Sequence, residues 1–159
     1  MEDRALGEQL AIALDWHDAH TDFDGAVANI PADKRGIVPK GVPYSPWQLL
    51  EHIRRAQRGI LDFCVSKDYH EAKWPDDYWP ESAAPPSDEA WHGSVRQVQQ
   101  DRARLQEMAH DRTLELGHPV PNGDGQTYLR ELVLAVDHTA FHVGQLVVVR
   151  RLLDIWPDE

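Results

Sequence analysis

The chain has 159 residues, 42% of them apolar, which suits one domain built round one hydrophobic core. Sixteen basic against 27 acidic residues leave a net charge of −11, which argues against a nucleic-acid backbone or an anionic membrane surface as partner. Cys64 is the only cysteine, so an intrachain disulfide and a thiolate cluster are both excluded; the N-terminus is charged (Glu2, Asp3, Arg4, Glu8) without a leader-like apolar run, no aliphatic run outlasts Leu132 to Val136, too short for a bilayer, and a cytoplasmic protein is expected.

The first predicted helix runs from about Asp3 to Asn29, with Leu6, Leu10, Ala13, Leu14, His17, Thr21 and Val27 near helical spacing. Ile30-Pro31 ends it, because a residue before proline is pushed out of the helical region. Pro31, Gly36, Pro39, Gly41 and Pro43 then mark a loop. The second helix, about 45–66, has the clearest start: Ser45 as N-cap, Pro46 at the first position and Gln48 at the third. Leu49, His52, Ile53, Ala56, Ile60 and Phe63 trace its apolar stripe, with Arg54, Arg55 and Arg58 on the other side. These arginines are read as a solvated face that could also bind the carboxylates of an acidic thiol.

The third helix spans about 87–112, opening on Ser87, Asp88 and Glu89, and shows only a thin apolar face (Val95, Val98, Leu105, Met108). The fourth, about 127–153, is apolar over a wide arc and should pack on more than one side. With no strand-like alternation and no internal repeat, the pattern predicts an all-α four-helix bundle in a single domain spanning 1–159. The connection 67–86 is long for a compact domain. Twenty extended residues reach about 66 Å, and a helix of about 22 residues is roughly 33 Å long, so this connector could return the chain along the bundle and leave the second and third helices parallel. Tyr69, Trp74, Tyr78 and Trp79 suggest that it is pinned by aromatics.

His138 and His142 lie four residues apart on the last helix and so leave one face about one turn apart, close enough to share a metal ion. His52, on the buried stripe of the second helix, is the candidate third ligand. Three neutral imidazoles suit a borderline divalent metal and leave open coordination positions, the pattern of a reactive site and not of a closed structural one. Against this stands the ordinary role of a buried histidine as a hydrogen-bonded core residue. The zincin pattern is absent, since Thr139 stands where its glutamate would be. His17 and His20 are possible pocket residues, brought near His52 if the first two helices form a hairpin, and Gln145 is within reach of His142. Glu51 and Asp137 point away from their neighbouring histidines, and Gly144 is read as permitting close helix approach. Cys64, twelve residues beyond His52 and therefore roughly 18 Å along the helix, cannot join the same site. Trp16, Trp47, Trp91 and Trp156 are read as packing residues, and His70, His92, His110 and His118 as surface.

The string His138-Thr-Ala-Phe-His142-Val-Gly144-Gln145-Leu146 resembles the last-helix signature of the DinB/YfiT-like superfamily, and Trp47-Gln-Leu-Leu-Glu-His52-Ile53 resembles the segment that carries its first metal histidine. Trp74 to Pro80 is similar to the connector of one DinB subgroup. The resemblance covers about residues 5–153. It implies an up-down-down-up bundle with the connector crossing between helices two and three, a metal (usually nickel or zinc) held by His52, His138 and His142, and frequent homodimers. Relatives include thiol-dependent S-transferases and a thiol-dependent isomerase. The expected function is thus a metal-dependent enzyme acting on a small molecule, activating a low-molecular-weight thiol or water; the alternatives are a non-catalytic metal- or ligand-binding module and a plain bundle with core histidines.

Overall fold

A computed structural model describes residues 2–157, with side chains from Arg4 onward, and among these every regular element is helical. The elements are α1 (Glu2–Ala13), α2 (Phe23–Val27), α3 (Pro46–Val65), α4 (Asp88–His110) and α5 (Tyr128–Leu152), with short 3-10 turns at Ala32–Lys34 and Asp76–Tyr78. The last three follow the predicted helices to within two residues at each end.

The expected single helix over 3–29 is instead two, and the break has a local cause. Asp15, Asp18, Thr21 and Asp22 put polar side chains that compete for backbone groups into one short stretch. Asp22 uses its carboxylate to cap a new helix, accepting from Gly25 N at 2.7 Å. Asp15 and Asp24 both turn to Arg102 of α4, at 2.6 and 2.7 Å, which anchors the break to the bundle. α1 itself lies so close to α4 that a Cβ at Gly7 would collide with the Ala109 carbonyl. The close helix approach expected at Gly144 is therefore at Gly7: Gly144 is exposed, and a Cβ there would meet open space.

α3 begins with the expected capping box, Ser45 Oγ accepting from Gln48 N at 3.2 Å and Gln48 Oε1 from Ser45 N at 3.0 Å. Its end is closed by the 113–127 loop, where Asn122 Nδ2 donates to the carbonyls of Phe63 and Ser66, both at 2.8 Å. Contacts between α3 and α4 advance together along both helices: Glu51 meets Ser94, Gln57 meets Val98 and Arg58 meets Asp101. These two helices are parallel, as the length of the connector allowed. α1 meets α4 in the opposite sense, Gly7 against Ala109 and Ala11 against Gln106. The thin apolar face of α4 is explained by the same contacts, because it buries Ser94 and Asp101 as partners for charged groups of α3.

The core forms two apolar clusters. One gathers Phe23, Trp47, Leu49, Ile53, Trp91, Val143 and Leu146; the other gathers Leu10, Leu61, Leu105, Leu132 and Ala135. On α5, His138 and His142 fall between the residues given to one cluster and those given to the other. By length and composition α5 could cross a membrane, which the length of unbroken aliphatic runs did not reveal. Its inward face, however, also carries buried Glu131, His142 and Arg150. Arg150 donates to the carbonyls of Gly25, Ala26 and Ile155 and stacks over Trp156 at 4.8 Å, so it closes α2 and holds the C-terminal segment. Trp47 and Trp91 pack in the core as expected, whereas Trp16 is half exposed.

Candidate metal centre

α3 and α5 bring His52, His138 and His142 together. One ring nitrogen from each lies within 4.8 Å of the other two, and His138 Nε2 is 3.1 Å from His52 Nε2. His52 and His142 are buried and His138 is partly so. Two of the rings have their outer nitrogen fixed. His52 Nδ1 donates to the Tyr78 carbonyl at 3.1 Å, and His142 Nδ1 donates to Gln145 Oε1 at 2.7 Å. A carbonyl oxygen only accepts, so both rings carry their proton on Nδ1 and keep a lone pair on Nε2. The 3.1 Å contact is then either a hydrogen bond donated by His138 Nε2 or two lone pairs aimed at one cation.

The donor set fits a divalent metal. Nitrogens bound tetrahedrally at about 2.0–2.1 Å stand about 3.3 Å apart, near the spacing observed between His52 and His138. A ligand histidine commonly donates its other nitrogen to a carbonyl or carboxylate, the arrangement that Tyr78 and Gln145 supply. Burial keeps the rings neutral, as ligation requires. It depresses the His52 imidazolium to about 4, with His142 adding to the effect and the Tyr78 carbonyl opposing it. It depresses His138 to about 3, helped by the charges that His142 and His52 would carry, and it lowers His142 against the pull of Gln145.

The aromatic connector is part of the site. Trp79 stacks on His52 at 3.9 Å between ring centroids and 7° between planes, and also stacks with Tyr44 at 6.2 Å. The sequence showed an aromatic segment pinned to the bundle, but not that it lands on a histidine. Arg55 holds it there, donating to the carbonyls of Asp77 and Trp79 at 3.1 Å each. Arg55 and Arg54 in turn engage Glu51, which is buried and also accepts from Ser94 Oγ at 2.6 Å. The arginine face of α3 is therefore not merely solvated: Arg54 and Arg55 serve Glu51 and the connector, and Arg58 pairs with Asp62 and buried Asp101. Glu51 acts through these contacts and does not face the histidines.

His17 and His20 do not join the site. The hairpin expected to bring them near His52 is lost where the first helix breaks, and both are exposed, with Nδ1 against the carbonyls of Asp15 and Thr21 respectively. His70, His92, His110 and His118 are exposed. Cys64 is buried in the cluster of Leu61 and Leu132, its thiol pushed up to about 12 by burial and the nearby Glu131 charge. A second group of close ligand atoms, from Asp15, Asp22 and Asp24, has Arg102 paired to two of its three members and is thereby explained without a cation.

His138 lines a cavity of about 540 Å³ whose walls come from α3, the connector, the 113–127 loop and the start of α5. An all-helical protein with three converging imidazoles beside a ligand-sized cavity is the class that these features define. A family model described as DinB superfamily matches residues 15–146, and the chain belongs to that superfamily. No curated protein and no solved structure gives a match.

Proposed function

We propose that the protein holds a divalent metal, nickel or zinc, through His52, His138 and His142, and uses it to activate a low-molecular-weight thiol for transfer of its sulfur to an electrophilic small molecule. The observation that carries this reading is the trio itself: three neutral imidazoles, two of them oriented by acceptors on their outer nitrogens and the third, His138, lining a cavity large enough for an organic ligand. A metal bound there would supply Lewis acidity and lower the pKa of the thiol or water that it meets. The chain supplies the rest. Tyr78 and Gln145 fix two ring tautomers, Trp79 covers one face of His52 and restricts water, and the cavity orients the organic reactant beside His138. In the transfer the sulfur forms a bond to carbon, the leaving group departs with its electron pair, and the thiol proton passes to solvent. With water in place of the thiol the same site would be a hydrolase.

The up-down-down-up helix order belongs to this reading and is supported by the paired directions of α1, α3 and α4. So does a homodimer formed through the outer face of α5, where Val133, Phe141 and Val148 are exposed and Gly144 leaves room for close approach.

Elemental analysis of untagged protein tests the site. One metal per chain is expected, with content in His52→Ala falling to below about a tenth. Metal-free protein, or a His52→Ala variant that retains its metal, would overturn it. Turnover of a panel of thiols and electrophiles should be lost on chelation and restored by nickel or zinc; tight metal binding without turnover would replace the enzyme with a binding module.

A further inference from the structure

The cavity beside His138 has a chemical character of its own. Its walls include Phe63, Tyr69, Trp74 and Tyr78, four aromatic faces. Its charged groups are Glu71, Asp124 and Glu131 against one guanidinium, Arg130. Glu131 stands out among these. Its side chain is 2% exposed yet lines the cavity, and among the described residues its carboxylate is hydrogen-bonded through Oε1 alone, by Arg130 Nη1 at 2.5 Å. Arg130 is more than half exposed, so it partners Glu131 from the solvent side and can turn out to water if another cation takes its place. A buried carboxylate with so light a partner is costly unless something else meets it.

The local field agrees with this. The Tyr69 and Tyr78 phenols are both raised, first by burial and then by neighbouring negative groups, Glu71 among them for each. Aromatic faces and carboxylates together attract an organic cation, the faces through their quadrupoles and the carboxylates through charge. Glu131 lies seven residues before His138 on α5, which places it on the same face about two turns, or about 10.5 Å, away.

We propose that this cavity binds the cationic end of a small molecule, an alkyl- or arylammonium, with Glu131 as its anchor and Trp74 and Tyr78 as its walls. The substrate class for the histidine centre is then a bifunctional one, an ammonium at one end and the reacting group about two helical turns away at His138. Where the reacting end lies rests on the metal reading; the cation site does not.

The test uses full-length protein freed of metal and three probes of similar shape: phenethylammonium, 2-phenylethanol and 3-phenylpropionate. Binding is followed by calorimetry and by the NMR shifts of the Trp74 indole. The ammonium should bind at least about tenfold more tightly than the alcohol, and the carboxylate most weakly. In Glu131→Gln the advantage of the ammonium should shrink to near parity while the alcohol is unaffected. Equal binding of ammonium and alcohol by the wild type, or an undiminished preference in Glu131→Gln, would overturn the proposal. If Glu131→Gln does not fold, the wild-type ranking decides, together with Asp124→Asn at the exposed rim, where the preference should fall by about twofold to threefold and an unchanged preference would count against the site. Metal content is measured separately. A chain that prefers the ammonium but takes up no metal refutes the histidine reading and leaves this one standing.

Discussion

His52 and His138 are held neutral in the folded chain, and this ties stability to pH. The unfolded imidazoles take up protons near 6.5, whereas the folded ones do so only near 4 and 3. Their contribution is therefore complete above about pH 6.5 and is lost as the pH falls toward those lower values, since the unfolded state binds protons first. For metal-free protein the loss by pH 5 should be on the order of 1–2 kcal/mol for each ring. Denaturant unfolding at pH 7.5 and pH 5 measures it, with His138→Asn expected to show a flatter profile. An equally steep profile in that variant would mean that other groups carry the dependence. The pairing of His138 with His142 was legible from four-residue spacing, and His52 from its place on a buried stripe. The partners of their outer nitrogens were legible only in part. Gln145 follows His142 at helical reach, but the Tyr78 carbonyl is a backbone group 26 residues from His52, and no side-chain pattern marks it.

At the level of elements, the connector is fastened by a relay that begins on another helix. Ser94 of α4 donates to Glu51, Glu51 engages Arg54 and Arg55, and Arg55 reaches the backbone of the 3-10 turn beside Trp79. Burial alone would raise the Glu51 pKa, but the hydrogen bonds from Arg54 and Ser94 and the two guanidinium charges outweigh it, so the carboxyl ends below its ordinary value. Arg55→Ala leaves two carbonyls without their donor while sparing the histidines. We expect the amides of Asp77 and Tyr78 to exchange about tenfold faster with deuterium, the signature of local opening. Exchange at the wild-type rate would show that the aromatic stack alone fastens the connector. Helices α3, α4 and α5 were readable because each opens on a capping serine or threonine, followed in α3 and α5 by a sustained apolar pattern and in α4 by acidic residues of the first turn. The first helix was misread because its spacing continued through 14–22, where the pairing of Asp15 with Arg102 of α4 and the cap made by Asp22 win over weak periodicity.

Across the whole molecule, part of the exposed apolar surface gathers on one helix. The inner face of α5 serves the site and the core, while Val133, Phe141 and Val148 leave an outer stripe beside exposed Gly144. Phe141 sits 5.0 Å from the His142 ring, so the proposed dimer face abuts the centre from behind. Phe141→Glu, which would set like charges against each other across a twofold axis, should give a monomer in sedimentation while histidine geometry and metal uptake persist. A wild-type chain that sediments as a monomer at micromolar concentration would end that expectation.

The placing of His138 and His142 between two apolar clusters on α5, against His52 of α3, has a consequence for how the chain finds its pairing. Apolar contacts alone tolerate sliding, because one leucine fills a gap much as another does. If α5 moved by one turn along α3, an imidazole would enter the cluster of Leu61 and Leu132, and His52 Nε2 and His138 Nε2 would lose each other as partners. The polar layer thus works as a registration mark. It makes the slipped arrangements expensive, so that the native alignment of the two helices is selected before any ligand arrives.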